Sequence, residues 1–337
     1  MENKVIAIVQ ARLTSTRYPS KILEKIGKIT ILEFLIKRLK KSKSIDKIII
    51  AIPKDKKNFL IKKHIKKTEI FEGSENNVLD RFYKTALKYK GKIIVRICGD
   101  CPFIDPKLID KLVNKIKHDK IDYISNTINP TYPDGLDVEV LTFNTLKKTW
   151  LKAKSKDDKE HVTRFIIKNK NFKKINYKFR KDLSNIRLTI DEKIDLEQLR
   201  SIYFHLKRKE NFGIEEIYQL YKKRKRLFDM NKNIKRNEGG SLNKGQKIWR
   251  RAKSIIPGGN MLLSKRPEMY APDQWPSYYK KAKGCNVWDM ENKKYLDMSL
   301  MSVGTNILGY SNSLIDSAVI KSIKKSNMSS LNCYEEI

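Results

Sequence analysis

Three cations and three hydroxyls crowd one short stretch of this chain: Arg12, Thr14, Ser15, Thr16, Arg17 and Lys21. Guanidinium, ammonium and hydroxyl donors at this spacing, with backbone N–H groups between them, suit several phosphate oxygens at once. They also fit a solvated basic turn, so their chemistry depends on what lies beside them. Asp100, in "RICGDCPFID", follows Gly99, which allows close backbone approach, and precedes the stiffening Pro102. Such a carboxylate holds a hard cation such as Mg²⁺, or it closes its own turn by hydrogen bonding. Asp191, in "IRLTIDEKIDLEQL", ends a short strand and can face the same cleft, whereas Asp195 reads as the N-cap of the next helix. Two carboxylates, one divalent cation and three cationic side chains together describe a nucleoside triphosphate site.

These residues must be carried by a suitable frame. "VIAIVQA", "KIIIAIP", "EIFEG" and "KIIVRICGD" read as strands, alternating with amphipathic stretches such as "ILEFLIKRLKK" and "NNVLDRFYKTALKYK". That alternation predicts an α/β fold, a three-layer α/β/α sandwich with a largely parallel sheet. The later runs "YISNT", "GLDVEVLT" and "INYKF" are shorter and more alternating, which adds antiparallel pieces and makes the sheet mixed. In a doubly wound order, the loop after the first strand sits at the carboxyl edge, and the strand ending at Asp100 lies beside it. The polar, glycine-bearing "DMNKNIKRNEGGSLNKG" reads as a linker. The expected division is therefore a domain over 1–228, a linker over 229–243 and a small partial α+β unit over 244–337, with no internal repeat of fixed period.

Among 337 residues the net charge of +35 invites a nucleic-acid reading. The charge is mostly Lys scattered over nearly every element, without the single basic face and interleaved aromatics of a nucleic-acid reader, so nucleic acid is not an expected partner. Cys98, Cys101, Cys285 and Cys333 are too few for a disulfide framework. Cys98 and Cys101 form a lone C-x-x-C, read as small buried residues rather than a zinc site. No apolar run approaches the ~20 residues of a membrane span and no signal-peptide pattern opens the chain, so a soluble, cytoplasmic protein is expected.

Further candidates surround the cleft. Asp137 and Glu139 occupy alternate positions of an expected strand, with Tyr132 and Asp134 in the turn before it. They suit sugar hydroxyls and a ring face, or they mark a solvated hairpin edge. Glu160, His161 and Arg164 fall on one expected helix, where Glu160 and Arg164 could simply pair. Gly73 permits a tight strand-to-helix turn leading to Ser74 and Glu75, and Asp80 and Arg81 read as helix-surface residues.

In chain order, "IVQARLTSTRYPSKIL", "EGSENNVLDRFYKTA", "RICGDCPFIDPKLID", "YPDGLDVEVL", "KEHVTRFI" and "RLTIDEKIDLEQL" resemble the SpsF-like branch of the cytidylyltransferases, relatives of the CMP-KDO and CMP-sialic acid synthetases. The resemblance spans the first two thirds of the chain. It implies the nucleotide-diphospho-sugar transferase type of fold and transfer of CMP from CTP to a sugar acid or similar acceptor, with release of pyrophosphate. Residue by residue, it implies that Arg12 and Lys21 grip the triphosphate, that Ala11, Ser15, Arg17, Gly73 and Ser74 complete the nucleotide site, and that Asp100 and Asp191 hold Mg²⁺. On the acceptor side it implies Asp137, Glu139, a hydroxyl contact from His161 and a carboxylate contact from Arg164. Where the family commonly has Gly this chain has Ser20, and Tyr18 replaces a usual Leu. A homo-oligomer is expected. Another nucleotide on the same fold, or a non-catalytic basic scaffold, are the alternatives.

"RAKSIIPGGN", "KKAKGCNVWDMENKKYLDM" and "VGTNILGYSNSLIDSAV" resemble the amino-terminal portion of class III aminotransferases, the group of glutamate-1-semialdehyde aminomutase. The family's cofactor lysine lies downstream of that portion, so pyridoxal phosphate and transamination are not expected, and the chain reads as a shortened version of a longer bifunctional protein. "NVWDMENKKYLDM" itself predicts a β-hairpin turning at "MENKK", in a unit that leaves hydrophobic surface uncovered.

Overall fold

The computed structural model describes residues 4–325 apart from 16, 208–210, 235, 237–242, 272–274 and 300–303. Cys333 and Thr16 lie outside the described residues. Seven strands form one sheet: β1 (Val5–Gln10), β2 (Lys47–Pro53), β3 (Glu69–Gly73), β4 (Ile93–Cys98), β5 (Tyr123–Ser125), β6 (Glu139–Thr142) and β7 (Lys174–Asn176). Their spatial order is β3-β2-β1-β4-β6-β5-β7. The first four are parallel, with Ile8 opposite both Ile49 and Arg96. Of the later strands only β6 runs against its neighbours, since β5 and β7 pair in parallel. The sheet is mixed, as the alternating runs predict, with one reversed strand. The order reverses at β1, with β2 on one side and β4 on the other, which creates a cleft at the carboxyl ends of β1 and β4.

Period-two alternation along β1 divides the core. Val5, Ala7 and Val9 face one helical layer, and Ile6 and Ile8 face the other, all fully buried. The first layer holds α1 (Ile31–Leu39), α2 (Phe59–His64), α4 (Pro106–His118), α8 (Lys193–His205) and α9 (Ile214–Lys223). The second holds α3 (Val78–Lys88), α5 (Phe143–Lys152) and α7 (Arg164–Lys168), and α6 (Lys156–His161) packs on α3. Helix starts follow local chemistry. Thr30 and Glu33 form a capping box on α1, and Asp105 caps α4 ahead of Pro106 at its first position.

Arg38, on α1, is 1% exposed and ties three segments together. It donates to the carbonyls of Ile104 at 2.8 Å and Phe212 at 2.6 Å, and its guanidinium stacks 3.9 Å from the centre of the Phe212 ring.

The first compact unit runs to Arg236. Its last residues correct the linker expected over 229–243: Asn231 is 2% exposed and hydrogen-bonds into the unit, so the described residues between 229 and 236 fold with it. The second unit has α10 (Lys244–Ile255), whose Trp249 is buried and donates to Glu268, and an antiparallel sheet of β8 (Tyr279–Lys283), β9 (Asn286–Asp289) and β10 (Lys294–Leu296). The β9–β10 hairpin turns where the sequence predicts. A last helix, α11 (Ser313–Lys325), has no buried residue, and Leu314 is 81% exposed, in line with the expected uncovered surface. No helix among the described residues is long and apolar enough to cross a membrane.

Replacing Arg38 by Leu orphans buried carbonyls that water cannot reach. Arg38→Leu is expected to cost the first unit about 3 kcal/mol in a urea denaturation of the full chain. A change under about 1 kcal/mol would contradict this role.

Candidate functional site

The loop after β1 is shaped before any ligand is considered. Buried Asn58 accepts the backbone N–H of Leu13 at 2.8 Å, and the N–H of Ser20 closes the loop onto the Leu13 carbonyl at 3.0 Å. Ser20 has φ +58°, in the left-handed region, which fits a position where glycine is commonly found. The chain then turns into a short 3₁₀ segment, Lys21–Leu23, and Lys21 points inward.

Lys21 is 6% exposed, and its Nζ meets Asp100 Oδ2 at 2.6 Å, Asp191 Oδ1 at 2.8 Å and the Ile190 carbonyl at 2.5 Å. Arg17 reaches the same Asp191 oxygen at 2.8 Å. Burial alone would lower the Lys21 ammonium, but Asp100 and Asp191 outweigh it and the net shift is upward. Burial would likewise raise Asp191, yet Lys21 and Arg17 hold it well below the usual carboxylate range. Asp100 follows β4, whereas Asp191, expected at the end of a short strand, lies in the irregular turn before α8; the Ile190 N–H donates to the Asp100 carbonyl at 3.0 Å, locking the two turns together. Asp100 and Asp191 thus converge on one positive charge. Hard carboxylate oxygens set around a cation suit a divalent ion, and two carboxylates leave further positions to phosphate or water. No group of three or more metal-ligating side chains occurs among the described residues.

Behind Asp191 stands Arg187, 4% exposed, which bonds Asp134, Asp191 and Asp195 together. Gly135 (φ +100°) makes room for this: a Cβ there would lie 2.4 Å from the backbone of Leu188 and Thr189. Asp195 is not the N-cap expected of it. Glu192 takes that place, and Asp195, in the first turn of α8 and fully buried, accepts the N–H groups of Asp191 and Glu192. Its neighbour in space, Arg187, supplies the countercharge that permits such burial.

The acceptor-side candidates are each paired. Asp137 precedes β6 rather than lying within it, and it binds Arg236, which also donates to the Tyr132 carbonyl at 3.0 Å. Burial and the nearby Asp134 and Glu139 push the Asp137 carboxyl up to about 7 against the pull of Arg236. Glu139 bonds Arg96 at 2.6 Å. The single helix expected across Glu160, His161 and Arg164 is broken: α6 ends at His161, and buried Val162 takes φ +56°. Arg164 therefore pairs with Asp157 and not with Glu160. Half-buried His161 lies 3.6 Å from Asp157, its imidazole shifted downward by burial and by Arg164.

On the opposite side, Arg12 is exposed, Ser15 half-buried and Ala11 buried beneath the loop. Gly73 ends β3, where a Cβ would lie 2.9 Å from Arg81. Arg81 is no surface residue: it is 1% exposed, donates to the carbonyl of exposed Ser74 at 2.6 Å, and is lowered to about 10 by burial and then by Arg12. Cys101 is buried and Cys98 half-buried, with burial pushing the Cys98 thiol up to about 12, as inert small residues require. Sequence reasoning missed Arg187, Arg236 and Asn58. Arg187 had one available signal, since in "IRLTID" it shares a face with Asp191 on an extended backbone.

Comparison with known proteins gives the family. The cytidylyltransferase family model matches residues 6–234. The chain is 39% identical over 237 residues to an uncharacterized protein of Methanocaldococcus jannaschii, covering 69% of this chain and 96% of that one. It is 32% identical over 213 residues to the spore coat polysaccharide biosynthesis protein SpsF of Bacillus subtilis, covering 60% and 87%. A solved cytidylyltransferase from Leptospira borgpetersenii superposes with a TM-score of 0.65 at 31% identity, over 67% of this chain and 97% of that one. Because the family model spans well over half of its residues, this chain belongs to the cytidylyltransferase family.

Proposed function

We propose that the first unit transfers CMP from CTP to a sugar acid or related sugar acceptor, releasing pyrophosphate, with Mg²⁺ held by Asp100 and Asp191. The observation that carries this reading is the convergence of those two carboxylates with Lys21 and Arg17 at the strand switch. Support for CTP is the family membership; support for a surface-polysaccharide sugar is the resemblance to SpsF.

In this reading Arg12, Arg17 and Lys21 bind the triphosphate, with the backbone of the Leu13–Ser20 loop around it. Bound Mg²⁺ supplies charge neutralisation at the phosphate oxygens. The acceptor hydroxyl attacks the α-phosphorus and gives up its proton to water, its new P–O bond replacing the bond to pyrophosphate. Negative charge gathers on phosphate oxygens, where the three cations face it, so positioning and preorganised electrostatics lower the barrier without a covalent enzyme intermediate. Asp137, Glu139 and His161 border the acceptor, and Arg164 would exchange Asp157 for an acceptor carboxylate. The second unit lies beyond the family match. We read it, on its sequence blocks alone, as an aminotransferase-like segment without pyridoxal phosphate.

The purified 337-residue chain is expected to release pyrophosphate from CTP, but not from UTP, GTP or ATP, when screened against a panel of sugar acids and sugar phosphates. Activity only with another nucleotide would replace CTP. Asp100→Asn is expected to lower turnover at least tenfold, or by more than about 1.4 kcal/mol of barrier. Wild-type turnover in that variant at limiting Mg²⁺ would remove Asp100 from the cation site.

A further inference from the structure

We infer that Arg187 is a positioning residue for Asp191, an inference that rests on the cation reading above. Asp191 has two carboxylate oxygens with different duties. Oδ1 faces the cleft, meeting Lys21 and Arg17, each at 2.8 Å. Oδ2 faces away and is taken by Arg187 Nη2 at 2.8 Å. The guanidinium cannot rotate to follow a wandering carboxylate, because its other edges are fixed. Nη1 donates to Asp134 Oδ2 at 2.9 Å, and Nε and Nη2 donate to Asp195 at 2.9 and 3.2 Å.

The backbone is held as well. Asp195 Oδ2 accepts the Asp191 N–H at 2.8 Å, so the main chain of Asp191 and its outer oxygen are tied to the same Arg187–Asp195 pair. The Arg187 carbonyl in turn accepts Gln198 Nε2 at 2.8 Å and Asn231 Nδ2 at 3.3 Å. Asn231 also donates to Asp195 Oδ1 at 2.7 Å. A planar fork with several fixed donors suits this task, and a lysine ammonium does not reproduce it. The outcome is a carboxylate that offers one oxygen to the cleft in one orientation, which matters for a small cation that demands near-ideal ligand geometry.

The sign of one substitution separates positioning from simple charge. Arg187 places a positive charge beside a cation site, so if charge were its only effect, Arg187→Met would tighten cation binding. Positioning demands the reverse. Mn²⁺ alone, titrated into the whole 337-residue chain and followed by electron paramagnetic resonance, is expected to bind at least fivefold more weakly to Arg187→Met than to wild type. Arg187→Lys, which keeps the charge and loses the fork, is expected to bind at least threefold more weakly. Circular dichroism identifies folded variants, and if Arg187→Met does not fold, Arg187→Lys carries the test. Binding equal to or tighter than wild type in a folded variant overturns the inference alone. Wild type that binds no Mn²⁺ overturns the cation reading and this inference with it.

Discussion

Everything at the cleft depends on one buried ammonium. Removing Lys21 from water carries a desolvation cost of several kcal/mol, which its contacts must offset. They do so because the turn after β4, the turn before α8 and the β1 loop bring Asp100, Asp191, the Ile190 carbonyl and Lys21 to a single point. The arrangement is therefore a constraint on the fold as much as a site. The β1 loop must close through Ser20, β4 must lie beside β1, and the turn before α8 must dock on the turn after β4. The contact is also chemically convertible, since the groups that satisfy one another are those a metal–triphosphate complex would satisfy: carboxylates for the metal, cations for the phosphates.

Around this point the same solution recurs. Asp134, Asp137 and Glu139 come from one short segment, and each meets an arginine from a different element: Arg187, Arg236 and Arg96. Buried carboxylates left alone would be protonated or would unfold the segment, so each is tolerable only beside its partner. The strongly basic composition acquires a local meaning here. Most of the excess Lys is solvated, but these few arginines allow an acid-rich wall to be buried beside the cleft.

The frame was legible in the sequence because it obeys local rules. The short β-rich runs "KIIIAIP" and "EIFEG" marked β2 and β3 to the residue, and the position of Asp100 beside the β1 loop followed from the order expected of parallel strands. Charged residues buried by distant partners were not legible in the same way. Arg81 looked like a helix surface because its acceptor, the Ser74 carbonyl, is a backbone atom with no sequence signature. Asp195 looked like a cap because its true partner, Arg187, needs Asp134 to hold its other edge. Asn231 and Arg236 sat in a polar stretch without hydrophobic period, and their hydrogen bonds tie that stretch to the unit. Val162 broke the expected helix by a backbone turn that no glycine or proline announced.

If the Lys21 clasp marks a metal–triphosphate site, bound nucleotide must open it. A crystal structure of the full chain grown with CTP and Mg²⁺ tests this most directly. The triphosphate is expected over the Arg12–Lys21 loop, with Lys21 Nζ turned from the carboxylates to phosphate oxygens and the ion between Asp100 and Asp191. Nucleotide bound elsewhere, with Lys21 still clasped by both acids, would contradict it.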